Sequence, residues 1–216
     1  MGTVDARDDW HRAAGVWAFD TLNANAWATA VDYLRSSTAD FAVVQETKVH
    51  ARDGAASEAT ARGAKWAASL EPANLGPGGG ASAGVAVCAR GHIGMSMPVA
   101  AGQVAAAAHG RFALRRVGAV CRGGIHLGAV YLHDSIGASA KANLDLLEAV
   151  AAVLRGLTGF WVLGGDFNCT PAQLTATGFL ALAGAAVIRA AGTPTANRRE
   201  IDYFVVSAGL AQAAVA

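Results

Sequence analysis

Three short polar stretches hold the residues of this 216-residue chain that could do chemistry, and each adjoins an apolar run. Phe160-Trp161-Val162-Leu163 leads into Gly165-Asp166-Phe167-Asn168, and Phe41-Ala42-Val43-Val44 leads into Gln45-Glu46-Thr47. Ile201-Asp202-Tyr203 opens the run Phe204-Val205-Val206. A carboxylate at the end of a buried strand is costly unless it is paired, hydrogen-bonded or bound to a cation. Three of them at three strand ends point to one shared metal and phosphate site. Glu46 suits a Mg²⁺ or Mn²⁺ ion, which prefers hard oxygen ligands and needs only one or two carboxylates beside water and phosphate. Asp166 is placed to orient or deprotonate an attacking water. The Asn168 amide can donate to a phosphate oxygen without adding negative charge. Asn23 and Asn25 follow the first strand at alternate positions and so can face one side. Tyr131 and His133 close another apolar strand, where each can contact phosphate, though His133 reads equally well as a half-buried imidazole satisfied by a neighbour. His11, His50, His92 and His109 read as surface residues. The bland alternative for the set is a group of unrelated turns, since Asn, Asp and Gly are turn formers; the joint occurrence speaks against it.

The elements that must hold these residues can be read from periodicity. Strands are predicted over Gly15–Leu22, Asp40–Gln45, Ala83–Ala89, Arg111–Val120, Ile125–His133, Phe160–Leu163 and Ile201–Val206. Helices are predicted over Ala26–Ser36, Ala55–Lys65 and Ala138–Leu154, the last with Leu144, Leu147, Val150 and Leu154 on one stripe, and a short one over Ala176–Ala183. Cys121-Arg122-Gly123-Gly124 joins two strands as a hairpin. Gly76-Pro77-Gly78-Gly79-Gly80 lacks the Gly-Lys-Ser/Thr ending of a phosphate loop and reads as a hairpin or rim loop. Strands joined by hairpins outnumber helices, which favours a mixed-sheet α/β sandwich over a parallel doubly wound sheet.

One domain over residues 14–216 is expected, after a poorly ordered polar lead-in over 1–13. The chain is 53% hydrophobic and 15% charged, with 26 Gly and a net charge of +1, so nucleic-acid binding must rest on local patches. Arg115-Arg116 and Arg198-Arg199 are candidates, a solvated surface being the simpler reading of either pair. Cys88, Cys121 and Cys169 are odd in number and lack Cys-x-x-Cys spacing, against a disulfide framework or thiolate zinc site. With no secretory signal and no apolar stretch long enough to span a bilayer, an intracellular protein with no membrane contact and no obligate protein partner is expected.

In this ordered set the chain resembles the endonuclease/exonuclease/phosphatase superfamily of Mg²⁺-dependent phosphodiesterases. Thr21-Leu22-Asn23-Ala24-Asn25 is similar to its first motif and Val44-Gln45-Glu46-Thr47 to its second. Ala83-Gly84-Val85-Ala86-Val87 is similar to its Gly-Val-Ala strand, Gly165-Asp166-Phe167-Asn168 to its central motif and Ile201-Asp202-Tyr203-Phe204 to its late Ile-Asp-Tyr/His segment. The Asn-x-Asn and Gln-Glu-Thr forms look closest to endonuclease domains of non-LTR retroelements and to apurinic-site endonucleases. The resemblance implies a four-layer sandwich of two mixed β-sheets flanked by helices. It implies Glu46 as principal metal ligand with Asn23 and Asn25 nearby, Asp166 acting on water, Asn168 and Tyr131 on the phosphate, Asp202 orienting a histidine and Thr195 at the rim. DNA is the implied substrate, in the nucleus for a retroelement-derived protein and otherwise in the cytoplasm.

The family pattern ends in a Ser/Gly-Asp-His motif on a last strand, and no Asp-His pair stands between Asp202 and Ala216. A chain incomplete at its C-terminus, lacking that strand and inactive as it stands, is therefore the expectation. The alternatives are a non-catalytic remnant or binding domain, and a phosphomonoesterase acting on an inositol phosphate or phospholipid.

Overall fold

The computed structural model describes residues 10–76, 79–98, 104, 106–189 and 200–214. In chain order the elements are α1 (Trp10–Ala13), β1 (Phe19–Asn23), α2 (Trp27–Ser36), β2 (Phe41–Gln45), α3 (Gly54–Gly63), β3 (Trp66–Glu71), β4 (Asn74–Leu75), β5 (Ala81–Ser82), β6 (Val85–Arg90) and β7 (Met95–Ser96). They continue with β8 (Phe112–Val117), β9 (Ile125–Tyr131), α4 (Lys141–Arg155), β10 (Trp161–Asp166), α5 (Pro171–Ala176), α6 (Phe179–Ala183), β11 (Ala185–Ile188) and β12 (Asp202–Ser207). One sheet has the order β1-β2-β6-β3 and the other β11-β12-β10-β9-β8-β7, while β4 and β5 form a separate small ribbon. Both large sheets are mixed. β1–β2 and β9–β10 are parallel and the remaining ladders antiparallel.

Side-chain alternation builds the layers. Along β2, Phe41 and Val43 enter the core between the sheets with Val85, Val87, Leu127, Ala129, Val162 and Phe204. Ala42 and Val44 point the other way, to Trp27, Val31, Leu34 and Cys88 under α2 and α3. Leu163, Phe167 and Tyr203 meet Leu146, Val150 and Phe179 under α4 and α6. The result is helices, sheet, sheet and helices. Strands covered on both faces read as unbroken apolar runs, which is why β2, β6, β9 and β10 are plain in the sequence.

Two glycines set the spacing at the site. A Cβ on Gly164 would lie 2.5 Å from Val43 Cγ2 and 2.6 Å from Phe204 Cε1, so its bare backbone lets the sheets approach where β10 crosses β2. A Cβ on Gly165 would lie 2.2 Å from the Val130 carbonyl oxygen. Gly164→Ala is therefore expected to destabilise the fold by roughly 2 kcal/mol or more and to lower Tm by roughly 5 °C. A thermal scan with no shift would remove Gly164 from this role.

Several expectations need correction. Trp10–Ala13 form a short helix, and His11 is buried with Nε2 3.7 Å from Asp40 Oδ2, so it is not a surface residue. Arg115 does not form a surface patch with Arg116. It crosses between the sheets, where Nε donates to Ser69 Oγ at 2.7 Å, and burial lowers its pKa. The helix expected over 176–183 starts only at Phe179, after Gly178 turns left-handed at φ 80°, and a separate helix over Pro171–Ala176 precedes it. On α4 the buried stripe holds Leu146, Leu147, Val150 and Leu154, with Leu144 beside it. The lead-in over residues 1–9, the pair Arg198-Arg199 and Thr195 lie outside the described residues.

Candidate active site

The strand register gathers the polar stretches at one end of the sandwich. In the first sheet Asn23 pairs with Gln45, which puts Glu46 just beyond. In the second, Asp166 pairs with Tyr131 on one side and with Asp202 on the other. Asn23 bridges the two sheets: its Nδ2 donates to Glu46 Oε1 at 3.0 Å and to Asp166 Oδ2 at 2.8 Å. Tyr131 also donates its hydroxyl to Glu46 Oε1, at 2.8 Å. The Asn168 N–H donates to Asp166 Oδ1 at 2.9 Å, closing a local turn that fixes the carboxylate.

These contacts push the two carboxylates apart in acidity. Burial alone raises Glu46, but donors from Asn23, Tyr131 and Lys48 and the Lys48 charge more than offset it, leaving Glu46 below its usual value. For Asp166 burial prevails over the Asn23 and Asn168 donors, helped by the nearby Asp202 and Glu46 charges, and its pKa rises to about 6. Glu46 is thus a fixed anion, while Asp166 titrates close to neutrality, where a proton acceptor works best. Burial and the bond to Glu46 raise the Tyr131 pKa, so its phenol stays a donor.

Lys48 completes the cluster. Its Nζ lies 3.3 Å from Glu46 Oε2 and also donates to Asn25 Oδ1. Asn25, Glu46, Lys48 and Asn168 all have positive φ, at 57°, 53°, 53° and 48°. Asn tolerates this region, whereas it costs Glu and Lys on the order of 1 kcal/mol each. The Glu46–Lys48 turn is held by Thr47 N–H to Gly84 O and Lys48 N–H to Ala83 O, each 3.0 Å. Four of the eight described non-glycine residues with positive φ thus lie at these three strand exits.

The family-level comparison agrees with this geometry. The family model described as "Endonuclease/Exonuclease/phosphatase family" matches residues 19–216. The chain belongs to this family. A search of curated proteins finds no match. Among solved structures, the 3′ phosphatase NExo from Neisseria, bound to a product DNA hairpin, superposes with a TM-score of 0.60 at 15% identity, covering 91% of this chain and 89% of that one. The AP endonuclease LMAP from Leishmania major gives 0.62 at 14% identity, over 91% and 80% of the two chains. D. rerio TDP2, complexed with a single-strand DNA product, gives 0.59 at 12% identity, over 93% and 86%. At such identities the likeness establishes the endonuclease/exonuclease/phosphatase fold.

Within that fold the residues singled out from sequence are largely brought together, with four differences. The Tyr131 hydroxyl, expected on the phosphate, donates to Glu46, and one Asn168 amide hydrogen is taken by the Leu132 carbonyl at 2.9 Å. His133 is clamped through its backbone: its N–H donates to Asn143 Oδ1 at 2.8 Å, and Asn143 Nδ2 returns to its carbonyl at 3.1 Å. Burial and Arg111 lower the pKa of the His133 imidazole, so the ring is neutral near pH 7. The shared three-carboxylate metal site is not formed. Among the described residues no three His, Cys, Asp or Glu side chains converge as a ligand set.

Two residues of the candidate site escape a reading of the sequence. Lys48 stands two positions past Glu46, and that spacing is the signal that could find it. Arg111 carries none. Its guanidinium lies 4.9 Å from the Tyr131 ring centre and Nη1 donates to the Tyr131 carbonyl at 3.3 Å, while the Tyr131 N–H returns to the Arg111 carbonyl at 2.9 Å. Arg111 thereby fixes Tyr131 and sets a positive charge within reach of Glu46. A cavity of about 510 Å³ at the opposite end of the first sheet is also basic, lined by Arg12, Lys65, Arg90 and His92. There Arg12 donates to the Thr38 carbonyl at 3.2 Å and Arg90 to that of Ala39 at 2.7 Å, clamping the loop before β2.

Proposed function

We propose that this chain is a divalent-metal-dependent phosphodiesterase acting on DNA. The observation that carries the reading is the Asn23 amide, which ties an acidified Glu46 to an Asp166 of raised pKa across the two sheets. An ion holder and a proton acceptor lie side by side, which is the division of labour phosphodiester hydrolysis needs. The DNA-bound neighbours, each described as a complex with product DNA, support the substrate class. The Asn23-x-Asn25 and Gln45-Glu46-Thr47 forms support an endonuclease of apurinic-site or retroelement type. Among the described residues no helix is long and apolar enough to cross a membrane.

The donor set fits Mg²⁺ or Mn²⁺. Glu46 Oε2 and Asn25 Oδ1 are hard oxygens that already converge on one positive charge, the Lys48 ammonium. Glu46 and Asn25 would hold the ion, and Asn23 would steady Glu46. Such an ion, when bound, supplies positive charge to a phosphate oxygen. The chain's own residues do the rest. Asp166 accepts a proton from the attacking water, and the Asn168 N–H keeps its carboxylate aimed. Tyr131 and Asn23 fix the Glu46 rotamer from two sides. The Arg111 and Lys48 cations offset the anionic cluster that would otherwise repel a phosphodiester.

The test is nicking of supercoiled plasmid, with and without an abasic site, in Mg²⁺ and in chelator, beside a binding assay. Mg²⁺-dependent nicking is the result this reading requires, and it would overturn the expectation that the chain is inactive as it stands. Binding of ion and DNA without cleavage would assign the chain to the non-catalytic reading, and release of phosphate from inositol phosphates without nicking would assign it to the phosphomonoesterase one.

A further inference from the structure

We propose that Lys48 is a tethered counter-ion, seated where the divalent ion binds and displaced from there when the ion arrives; this rests on the metal-dependent reading of the site. The two oxygens assigned to the ion, Glu46 Oε2 and Asn25 Oδ1, are bridged by the Lys48 ammonium, which lies 3.3 Å from the first and donates to the second. A small divalent ion sits roughly 2.0–2.6 Å from its oxygen ligands. An ammonium that bridges the same two oxygens stands where such an ion would sit and repels it, so entry of the ion must move the lysine aside.

The backbone supports an exchange. Lys48 keeps a left-handed conformation at φ 53°, where glycine would be unstrained, and its N–H is fixed on the Ala83 carbonyl. The main chain is thus an anchor, and the four-carbon stem is free to swing about it. With its side chain 37% exposed, Lys48 has solvent on one side into which to move.

In the metal-free protein the lysine keeps Glu46 paired. With the ion in place, the same ammonium is released beside the position where an anionic phosphate must dock. An ordinary surface ion pair would contribute little either way. A counter-ion in the ligand position instead makes a signed statement: removing it must tighten ion binding.

Titration calorimetry of the full chain with MnCl₂ alone, at low ionic strength, tests this. Lys48→Met is expected to bind Mn²⁺ roughly tenfold more tightly than the parent, since a like charge is removed from the first few ångströms around the ion. Lys48→Gly, whose backbone suits the left-handed turn, is expected to show the same gain and serves if the Met variant misfolds. Lys48→Arg, which keeps the charge, should stay within about threefold of the parent. Parent, Met and Gly forms binding equally, or the variants binding more weakly, would overturn the counter-ion role and leave the metal site standing. Absence of binding in every form would overturn the metal reading and the counter-ion with it.

Discussion

Glu46→Gln is expected to weaken Mn²⁺ or Mg²⁺ binding by more than roughly a hundredfold, to below detection by calorimetry, while leaving the far-ultraviolet circular dichroism unchanged. The size of the effect follows from how few acids serve the site. Asp166 titrates at about 6 and is occupied by Asn23 and the Asn168 N–H, so Glu46 is the carboxylate here held firmly as an anion. An amide in its place keeps the shape and can still accept from Tyr131, but it brings no charge. The fold should not notice, because the Glu46 side chain is 21% exposed and the turn around it is held by backbone bonds. Unaltered ion affinity in the variant would remove Glu46 from the metal site.

The second large effect concerns Asp166. Asp166→Asn is expected to lower kcat by a factor on the order of a hundred or more, the usual contribution of a positioned proton acceptor, with ion and DNA binding retained. Stability should move the opposite way. Asp166 rises from 3.8 to about 6 on folding, so the folded protein holds its proton more tightly than the unfolded chain does. That preference stabilises the fold fully below pH near 4, and it is lost as pH rises through about 6. In chelator, the parent should therefore lose up to roughly 2–3 kcal/mol between pH 4 and pH 7 from this group alone. The Asn variant should not, and should melt at the higher temperature at pH 7. Equal slopes of Tm against pH for the two proteins, or kcat within a few-fold, would remove Asp166 from the role of base. A residue that weakens the fold at the pH where it works has the signature of catalytic use.

How far the sequence discloses this depends on which physical rule each residue obeys. Strands buried on both faces betray themselves by unbroken apolar runs, so β2, β6, β9 and β10, and with them Glu46 and Asp166, are legible. The sandwich is legible for the same reason. What escapes depends on tertiary neighbours. Arg115 sits in a strand between Leu114 and Arg116, and nothing local says that it turns inward to Ser69 while Arg116 turns out. Arg111 has no motif around it, and its value lies wholly in the Tyr131 ring that a strand twenty residues away presents. The break at Gly178 is visible as a glycine in a helical pattern, but only its positive φ makes it a stop. Asn168 is legible as part of the site, yet half its donor capacity goes to Leu132, which only the β9–β10 pairing brings near.

The bond between Asn23 and Asp166 joins residues 143 positions apart, one from each sheet. Each sheet can in principle gather most of its ladder without the other, but neither holds a complete site. Any half-assembled form of the chain is therefore chemically silent, unable to seat an ion beside its base or to cut what it touches. Docking of the sheets, which brings Asp166 to Asn23, is thus the event that completes the candidate site. Pairings this distant, across two parallel strand pairs, also predict slow folding. Under the proposed function that order of events is a safeguard: the reactive arrangement exists only once the chain has finished folding.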